Sequence, residues 1–401
     1  MGGSAQWPAL SYEEAPWARD PDELALVPRS RRRKMTATYQ AAIPLPLATR
    51  ALAVPAPLEA RMSEAVAMVS RFDEQQARAR FNLPATLLRS ESAASSQIER
   101  LTASIRNIAL AEVSFKAPRN AQLIAGNVFA MREALDLPDE LTIEAIARIH
   151  EALMAPAGVS FGGAIRQGQV WIGGTPYSPH EALFVPPVAS RVPGCLDDLV
   201  AFSRRDDLGP IAKAALLHAQ FETIHPFIDG NGRTGRALLS KVLRHEGLLR
   251  HTTLPVSAGL LRNMSAYMDA LDRYHEGDPL PIIEQVTDAL ELAVVIGAKA
   301  SAAIGEAVGR WRSSIVQRSS ARIHEMPNLL VEQPVVDSAY VARRLGISQR
   351  AARDVLEQAC GYGMVRPTGN AQRGVLYQAD ELLEVMEEVS SLDGPRRMLR
   401  S

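Results

Sequence analysis

Cysteine is scarce in this chain: Cys195 and Cys360 are the only two among 401 residues. They lie far apart and match no metal-ligand spacing, which argues against a disulfide framework or a cysteine zinc site and fits a reducing compartment. Excess charge of either sign is also missing. Lys plus Arg number 44 against 45 Asp plus Glu, so no global field recruits nucleic acid or a membrane, and any such binding must be local. No apolar run of 18 residues interrupts the sequence, and the N-terminus lacks a signal-peptide core. The simplest expectation is a cytoplasmic protein without membrane contact. At this length the chain exceeds one typical core, so two or three domains are expected.

What is present is concentrated between residues 225 and 236, which read His-Pro-Phe-Ile-Asp-Gly-Asn-Gly-Arg-Thr-Gly-Arg. Gly230, Gly232 and Gly235 let backbone N–H groups approach an anion, and Leu238, Leu239, Val242 and Leu243 continue with helical spacing. An anion would therefore meet a helix N-terminus, where unpaired donors and the dipole favour negative charge. Arg233 and Arg236, three apart, reach one side and fork onto phosphate oxygens.

Other readings of these glycines fail on specific positions. The G-x-G-x-x-G pattern of a dinucleotide site is met, but residues 211–224 before it read as a helix rather than a strand. A calcium loop starting at Asp229 requires an oxygen ligand at its fifth position and Glu at its twelfth, where Arg233 and Ser240 stand. A mere helix-start turn needs neither His225 nor two arginines.

The full string resembles the signature of the Fic family, His-Pro-Phe-x-Asp-Gly-Asn-Gly-Arg-x-Gly-Arg, with every specified position met. Gly163-Ala164-Ile165-Arg166, Val170-Trp171-Ile172-Gly173-Gly174 and Phe184-Val185-Pro186-Pro187 look like the family's flap and the approach to its next helix; the similarity covers roughly residues 36–290. The resemblance implies transfer of AMP from ATP to a Ser, Thr or Tyr hydroxyl of a protein target, with self-modification as one form of it. His225 would be the base that takes the hydroxyl proton. Asp229 would hold Mg²⁺ between the α- and β-phosphates. Gly230, Asn231 and Gly232 would form the anion hole, with Gly235 close by, while Arg233 would hold the β-phosphate and Arg236 the γ-phosphate. Gln169, Val170, Trp171 and Ile172 would clamp the target segment through backbone pairing, although Trp171 also reads as a core anchor. Tyr267 and Tyr274 lie where the family stacks an adenine, with Tyr267 preferred. Phe227 reads as a core plug beneath the loop, and His218 as a packed or hydrogen-bonded helix residue.

Ser95-Ser96-Gln97-Ile98-Glu99-Arg100 resembles the family's inhibitory motif, with Ser95 and Glu99 at the required spacing. Four residues apart on a helix, they share a face. The resemblance implies that Glu99 pairs with Arg236 and excludes the productive γ-phosphate pose. Arg100 departs from the motif, which carries Gly or Asn there.

The expected fold is mainly α: a Fic helical core with a β-hairpin flap, a helical N-terminal extension and a C-terminal winged helix-turn-helix. Residues 1–35 read as a mobile tail and 36–115 as the extension with the inhibitory helix. Residues 116–296 read as the catalytic core, 297–328 as a helical connector and 329–390 as the winged-helix-like domain. Helical patterns span 141–154, 195–204, 211–224, 234–246, 262–276 and 279–296. In the last domain Ser348 caps the second helix, and 360–365 with 373–377 would form a wing. Arg343, Arg344, Arg350, Arg353, Arg366 and Arg373 outnumber Asp337, Asp354 and Glu357 there. That balance permits DNA backbone contacts; dimerisation or target docking is the competing use, and a homodimer stays open. Two other functions remain alongside transfer: a DNA-binding regulator with a nucleotide-sensing or self-modifying core, and removal of AMP at the same site.

Overall fold

The structure, a computed structural model, describes residues 7–17, 25, 27–79, 81, 83–113, 117–138, 140–368 and 375–391. It is mainly helical. After a strand pair, β1 (Ser11–Pro16) and β2 (Thr38–Ile43), come α1 (Ala56–Ala77), α2 (Leu83–Ile98), α3 (Ile105–Val113), α4 (Arg119–Asp136) and α5 (Ile143–Met154). The centre is α6 (Val192–Ser203), α7 (Pro210–Ile224), α8 (Asn231–His245), α9 (Val256–Arg262), α10 (Met264–His275) and the 35-residue α11 (Leu280–Ser314). A C-terminal unit follows: α12 (Met326–Glu332), β3 (Val335–Asp337), α13 (Ser338–Leu345), α14 (Gln349–Gly361), β4 (Arg366–Thr368), β5 (Leu376–Gln378) and α15 (Asp380–Ser390), its sheet in the order β3-β5-β4.

The helices sit where the apolar spacing put them, with two adjustments. The pattern over 262–276 breaks at Asn263 into α9 and α10, and the pattern starting at 279 runs on to Ser314 without interruption. The boundary expected at residue 297 therefore falls inside one helix. An 18-residue window of α11 has a mean hydropathy of 1.5, so by length and composition alone this helix could cross a membrane; 39% of that window is buried. Its buried residues, among them Ile282, Ile283, Val286, Leu290 and Ile304, belong to the same core as α1, α7 and α9.

The expected mobile tail is corrected over residues 7–17. Here β1 pairs antiparallel with β2, from Ser11 opposite Ile43 to Pro16 opposite Thr38, and Leu10 donates to the His275 carbonyl (2.8 Å). The pairing joins residues 22 to 32 apart, which local periodicity does not register. The basic run forms a helical turn at Arg29–Arg32, and Arg31 and Lys34 both pair with Glu181 (2.7 and 2.6 Å).

In the C-terminal unit Ser348 caps α14 through the Ala351 N–H (3.2 Å), as its position predicts. Cys360 lies at the end of α14 rather than in a wing, and the hairpin strands are 366–368 and 376–378, while Arg373 lies outside the described residues. Two arginines of the basic set are matched by acids: Arg344 pairs with Glu332 and Arg366 with Asp380. Arg343, Arg350 and Arg353 stay exposed.

Asp73, buried on α1, accepts N–H bonds from Arg250 (3.0 Å), His251 (2.9 Å) and Thr252 (2.9 Å), tying the extension to the loop after α8. Asp73→Ala leaves three donors unmatched and is expected to lower unfolding stability by about 2–4 kcal/mol, read by urea denaturation.

Candidate active site at the start of helix α8

Helix α7 is buried on almost every side and stops at His225, whose N–H donates to the Phe221 carbonyl (2.9 Å) and whose φ of 51° is left-handed. Such a φ is uncommon for a residue with a Cβ and persists only where its surroundings hold it. Arg166 does the holding. Its guanidinium is 1% exposed and donates from Nε to the His225 carbonyl (2.8 Å), from Nη1 to Gly168 (3.0 Å), and from Nη2 to Pro187 (2.6 Å) and Ile224 (3.4 Å). One buried cation thus fastens the turn at His225 to both ends of the flap. Burial pulls its pKa down to about 10, which still leaves it charged at neutral pH.

His150 supports the loop from the other side. Its ring stacks on Phe227 (3.7 Å between centroids), its Nδ1 accepts from the Gly163 N–H and its Nε2 donates to the Asp229 carbonyl (both 2.9 Å). A carbonyl only accepts, so these partners fix the neutral tautomer. Phe227 is fully buried, as a core plug should be.

The loop ends at Gly230, whose φ of 80° starts α8. The first helical bond runs from the Thr234 N–H to the Gly230 carbonyl (3.0 Å), so the amides of Asn231, Gly232 and Arg233 precede it and have no partner within the helix. Asn231 corrects an expectation. Its side chain is buried and both of its polar atoms are used by the Phe227 backbone, accepting from N–H and donating to the carbonyl (2.9 Å each). It staples the loop, and only its amide is left for an anion. Gly235 packs α8 onto α7: a Cβ there would lie 2.6 Å from a Glu222 carboxylate oxygen.

A cavity of about 350 Å³ opens at this helix start, lined on its apolar side by Leu101, Leu123, Leu153, Met154 and Ala157. Its polar floor holds His225, Asp229, Gly230, Gly232 and Arg233, and Glu99 stands at its edge. The buried Nε of Arg233 has no hydrogen-bond partner among the described residues, a donor waiting for an acceptor. His225 Nδ1 donates to the Glu222 carbonyl (3.2 Å), which leaves Nε2 as a lone-pair acceptor. Burial pushes its pKa down to about 4, assisted by the Arg166 charge, so the ring is neutral at physiological pH. Asp229 is 64% exposed in its side chain; its Oδ1 accepts from the Gly230 N–H (2.7 Å) and lies 3.7 Å from Arg233. Among the described residues no three His, Cys, Asp or Glu side chains converge on one point. A cation here would rest on one carboxylate, the donor set suited to Mg²⁺ that keeps phosphate oxygens and water.

Helix α2 brings Ser95, and the turn that follows it brings Glu99, to the same place. Arg236 donates from Nε to Ser95 Oγ (2.8 Å) and from Nη2 to the Ser95 carbonyl and Glu99 Oε1 (2.9 Å each). The pairing anticipated between Glu99 and Arg236 is present. Although burial raises the Glu99 pKa, Arg236 outweighs it and holds the carboxyl below its usual range. Glu99 also presses on the helix start: a Cβ on Gly232 would lie 2.1 Å from its Oε1. Tyr267, in contrast, is 1% exposed, stacks on His218 and shares a 2.8 Å hydrogen bond with it. It does not line the cavity, so no face of its ring is available to a base. Tyr274 is equally buried.

The flap forms no regular strand. Ile172 and Phe184 make an isolated antiparallel bridge, with N–H to carbonyl distances of 2.9 Å from Ile172 to Phe184 and 2.8 Å from Leu183 to Ile172. Gln169 is tied to Tyr39 (3.0 Å) and the Pro186 carbonyl (2.9 Å), and Val170 contributes a carbonyl to the same side chain. Trp171 packs edge-on to Trp17 (5.6 Å), a contact that requires the N-terminal segment. Ile172, Leu183 and Ile228 stay exposed, Leu183 at 87%. Arg166 and His150 are the functional residues that sequence reasoning missed as such; Arg166 appeared only as part of a flap resemblance.

Residues 140–243 match the family model described as Fic/DOC family. Over 209 residues the chain is 32% identical to a probable protein adenylyltransferase of Aquifex aeolicus, covering 50% of this chain and 59% of that protein. Over 153 residues it is 31% identical to the protein adenylyltransferase Fic of Drosophila willistoni, covering 38% and 28%. The matches thus span less than two thirds of either relative. A crystal structure of a Fic family protein from Desulfovibrio desulfuricans G20 superposes with a TM-score of 0.52 at 24% identity, over 82% of this chain and 97% of that one, a likeness of fold.

Replacing Arg166 with Met would strip the donors from four backbone carbonyls. The variant is expected to lose about 2–4 kcal/mol in urea denaturation, whereas Arg166→Lys, keeping charge but fewer donors, should lose less.

Proposed function

We propose that this chain, whose residues 140–243 match the Fic/DOC family model, is a protein adenylyltransferase, moving AMP from ATP to a Ser, Thr or Tyr hydroxyl of a protein target under restraint by Glu99. The observation that carries this reading is the neutral His225 beside an anion cradle with an unmatched guanidinium donor. The activity named for the two relatives supports it.

A triphosphate in the cradle would meet the amides at the start of α8 and the forks of Arg233 and Arg236. His225 Nε2 takes the proton of the target hydroxyl as its oxygen attacks the α-phosphorus. The bond from that phosphorus to the bridging oxygen breaks, pyrophosphate departs with its electron pair, and His225 returns the proton to solvent. Mg²⁺ held at Asp229 supplies charge neutralisation to the polyphosphate when bound. The apolar wall of Leu101, Leu123, Leu153 and Met154 suits the nucleoside, in place of Tyr267. A target segment lies along the flap bridge, with exposed Ile172, Leu183 and Ile228 as its apolar contacts.

Glu99 satisfies the Arg236 guanidinium that the γ-phosphate needs and crowds the amide end of α8 at Gly232. Removal of AMP by water at this site is the competing chemistry. DNA contact through exposed Arg343, Arg350 and Arg353 would instead make the core a regulator's sensor.

With α-labelled ATP and Mg²⁺, wild-type protein should label itself or a target weakly and Glu99→Gly about 5- to 150-fold more, a coupling of ordinary size. His225→Ala should cut labelling by ~10²- to 10⁴-fold; undiminished label in that variant, or net loss of label from premodified target, counts against transfer. A ring kept neutral to about pH 4 places the acid limb of the rate profile below pH 5 rather than near 6.5. Initial rates of the Glu99→Gly protein between pH 4 and 8 test that position.

A further inference from the structure

Residues 99–104 carry the inhibitory carboxylate between two helices, α2 and α3, and both helices are fastened to the C-terminal unit. Along α2, Thr86 donates to the Val331 carbonyl and Ser90 to the Met386 carbonyl, at 3.2 Å each. Arg89, fully buried, pairs with Glu112 of α3 and donates to Gln333 Oε1 (2.7 Å), whose amide nitrogen donates in turn to the Ala109 carbonyl of α3 (2.6 Å). At the other end of the segment, the Ile105 N–H that opens α3 donates to the Glu387 carboxylate of α15 (2.9 Å). The Arg106 beside it reaches Gln378 of β5 (2.6 Å) and Thr368 of β4 (3.3 Å).

The catalytic core holds α2 at its middle, besides the Arg236 bonds to Ser95 near its end. Glu91 accepts from the Ser257 N–H (2.7 Å) and hydroxyl of α9, and the Ser92 carbonyl accepts from Asn127 of α4 (3.0 Å). Eight residues separate Glu91 from Glu99, a lever of roughly 12 Å along a helix. A tilt of about 5° at that anchor moves Glu99 by about 1 Å, enough to break a hydrogen-bonded ion pair.

We infer that the C-terminal unit is the handle of the inhibitory contact: it holds α2 and α3 in register, and its displacement withdraws Glu99 from Arg236. This rests on the reading that Glu99 restrains the site. The buried Arg89–Gln333 link makes the coupling stiff, because neither side chain can move alone without losing its partner.

The test is Arg106→Ala with Glu387→Ala in the full chain, which cuts the links at the start of α3 without opening a buried cavity. Labelling with α-labelled ATP should rise about 5- to 30-fold over wild type, and the two changes should add little to a Glu99→Gly background. Hydrogen exchange supplies a readout independent of activity: amides over 99–105 should exchange at least fivefold faster, with those of α8 unchanged. Wild-type labelling and wild-type exchange in the double variant, beside an activated Glu99→Gly protein, overturn the handle alone. A silent Glu99→Gly protein overturns the restraint itself and the handle with it. Faster exchange in α8 as well means general loosening and also counts against it.

Discussion

The structure around the cavity depends on one guanidinium. Arg236 is buried in the first turns of α8, and a buried cation is tolerated only when its donors are matched. In this structure Ser95 and Glu99 match them. A triphosphate offers the same service with oxygens of like charge, so on the proposed reading two anions compete for one site and either occupant weakens the other by an equal factor. Glu99 needs no separate mechanism of inhibition. On that reading it stands in the place of the phosphate; a Cβ on Gly232 would lie 2.1 Å from its Oε1.

A second cation plays the opposite part. Arg166 has carbonyls for partners where Arg236 has a carboxylate and a serine. Carbonyls fix geometry without neutralising charge, so Arg166 remains a positive group near His225 and lowers that ring's pKa further after burial has done most of the work. Arg166 thus holds the strained turn at His225 and adds to the burial that keeps the ring neutral. His150 holds the facing side of the loop by its own tautomer, and the loop from 226 to 230 is suspended between these two side chains.

The legible part of the molecule was the part where chemistry restricts residue type. On the proposed reading His225, Asp229, the glycines and the arginines of α8 cannot be exchanged without losing a donor, a base or a close approach, so their string carries information at nearly every position. Ser95 and Glu99 were legible for the same reason, joined by a spacing of four. Arg166 and His150 were not, because a side chain that binds backbone carbonyls and amides leaves no complementary residue in the sequence. Asn231 was misread since the same amide group can line an anion site or staple a loop, and only the Phe227 backbone decides it. Tyr267 failed through depth: its helix was right and the cavity lies elsewhere. The β1–β2 pair and the single-bridge flap depend on contacts distant in sequence, beyond any local period.

Arg100 connects these levels. The Leu101 N–H reaches back to the Ser96 carbonyl (2.9 Å) to close the end of α2, which forces residue 100 to a φ of 59°. Gly or Asn takes that conformation readily, while an arginine there costs about 1 kcal/mol. The adjoining Arg236 is buried, with Glu99 partly open to water beside it, and its three hydrogen bonds to Ser95 and Glu99 offset that cost at the same end of α2. The strained turn is therefore held by the bonds that Arg236 makes to α2 and to Glu99, and on the proposed reading a phosphate that takes the place of Glu99 releases part of that hold.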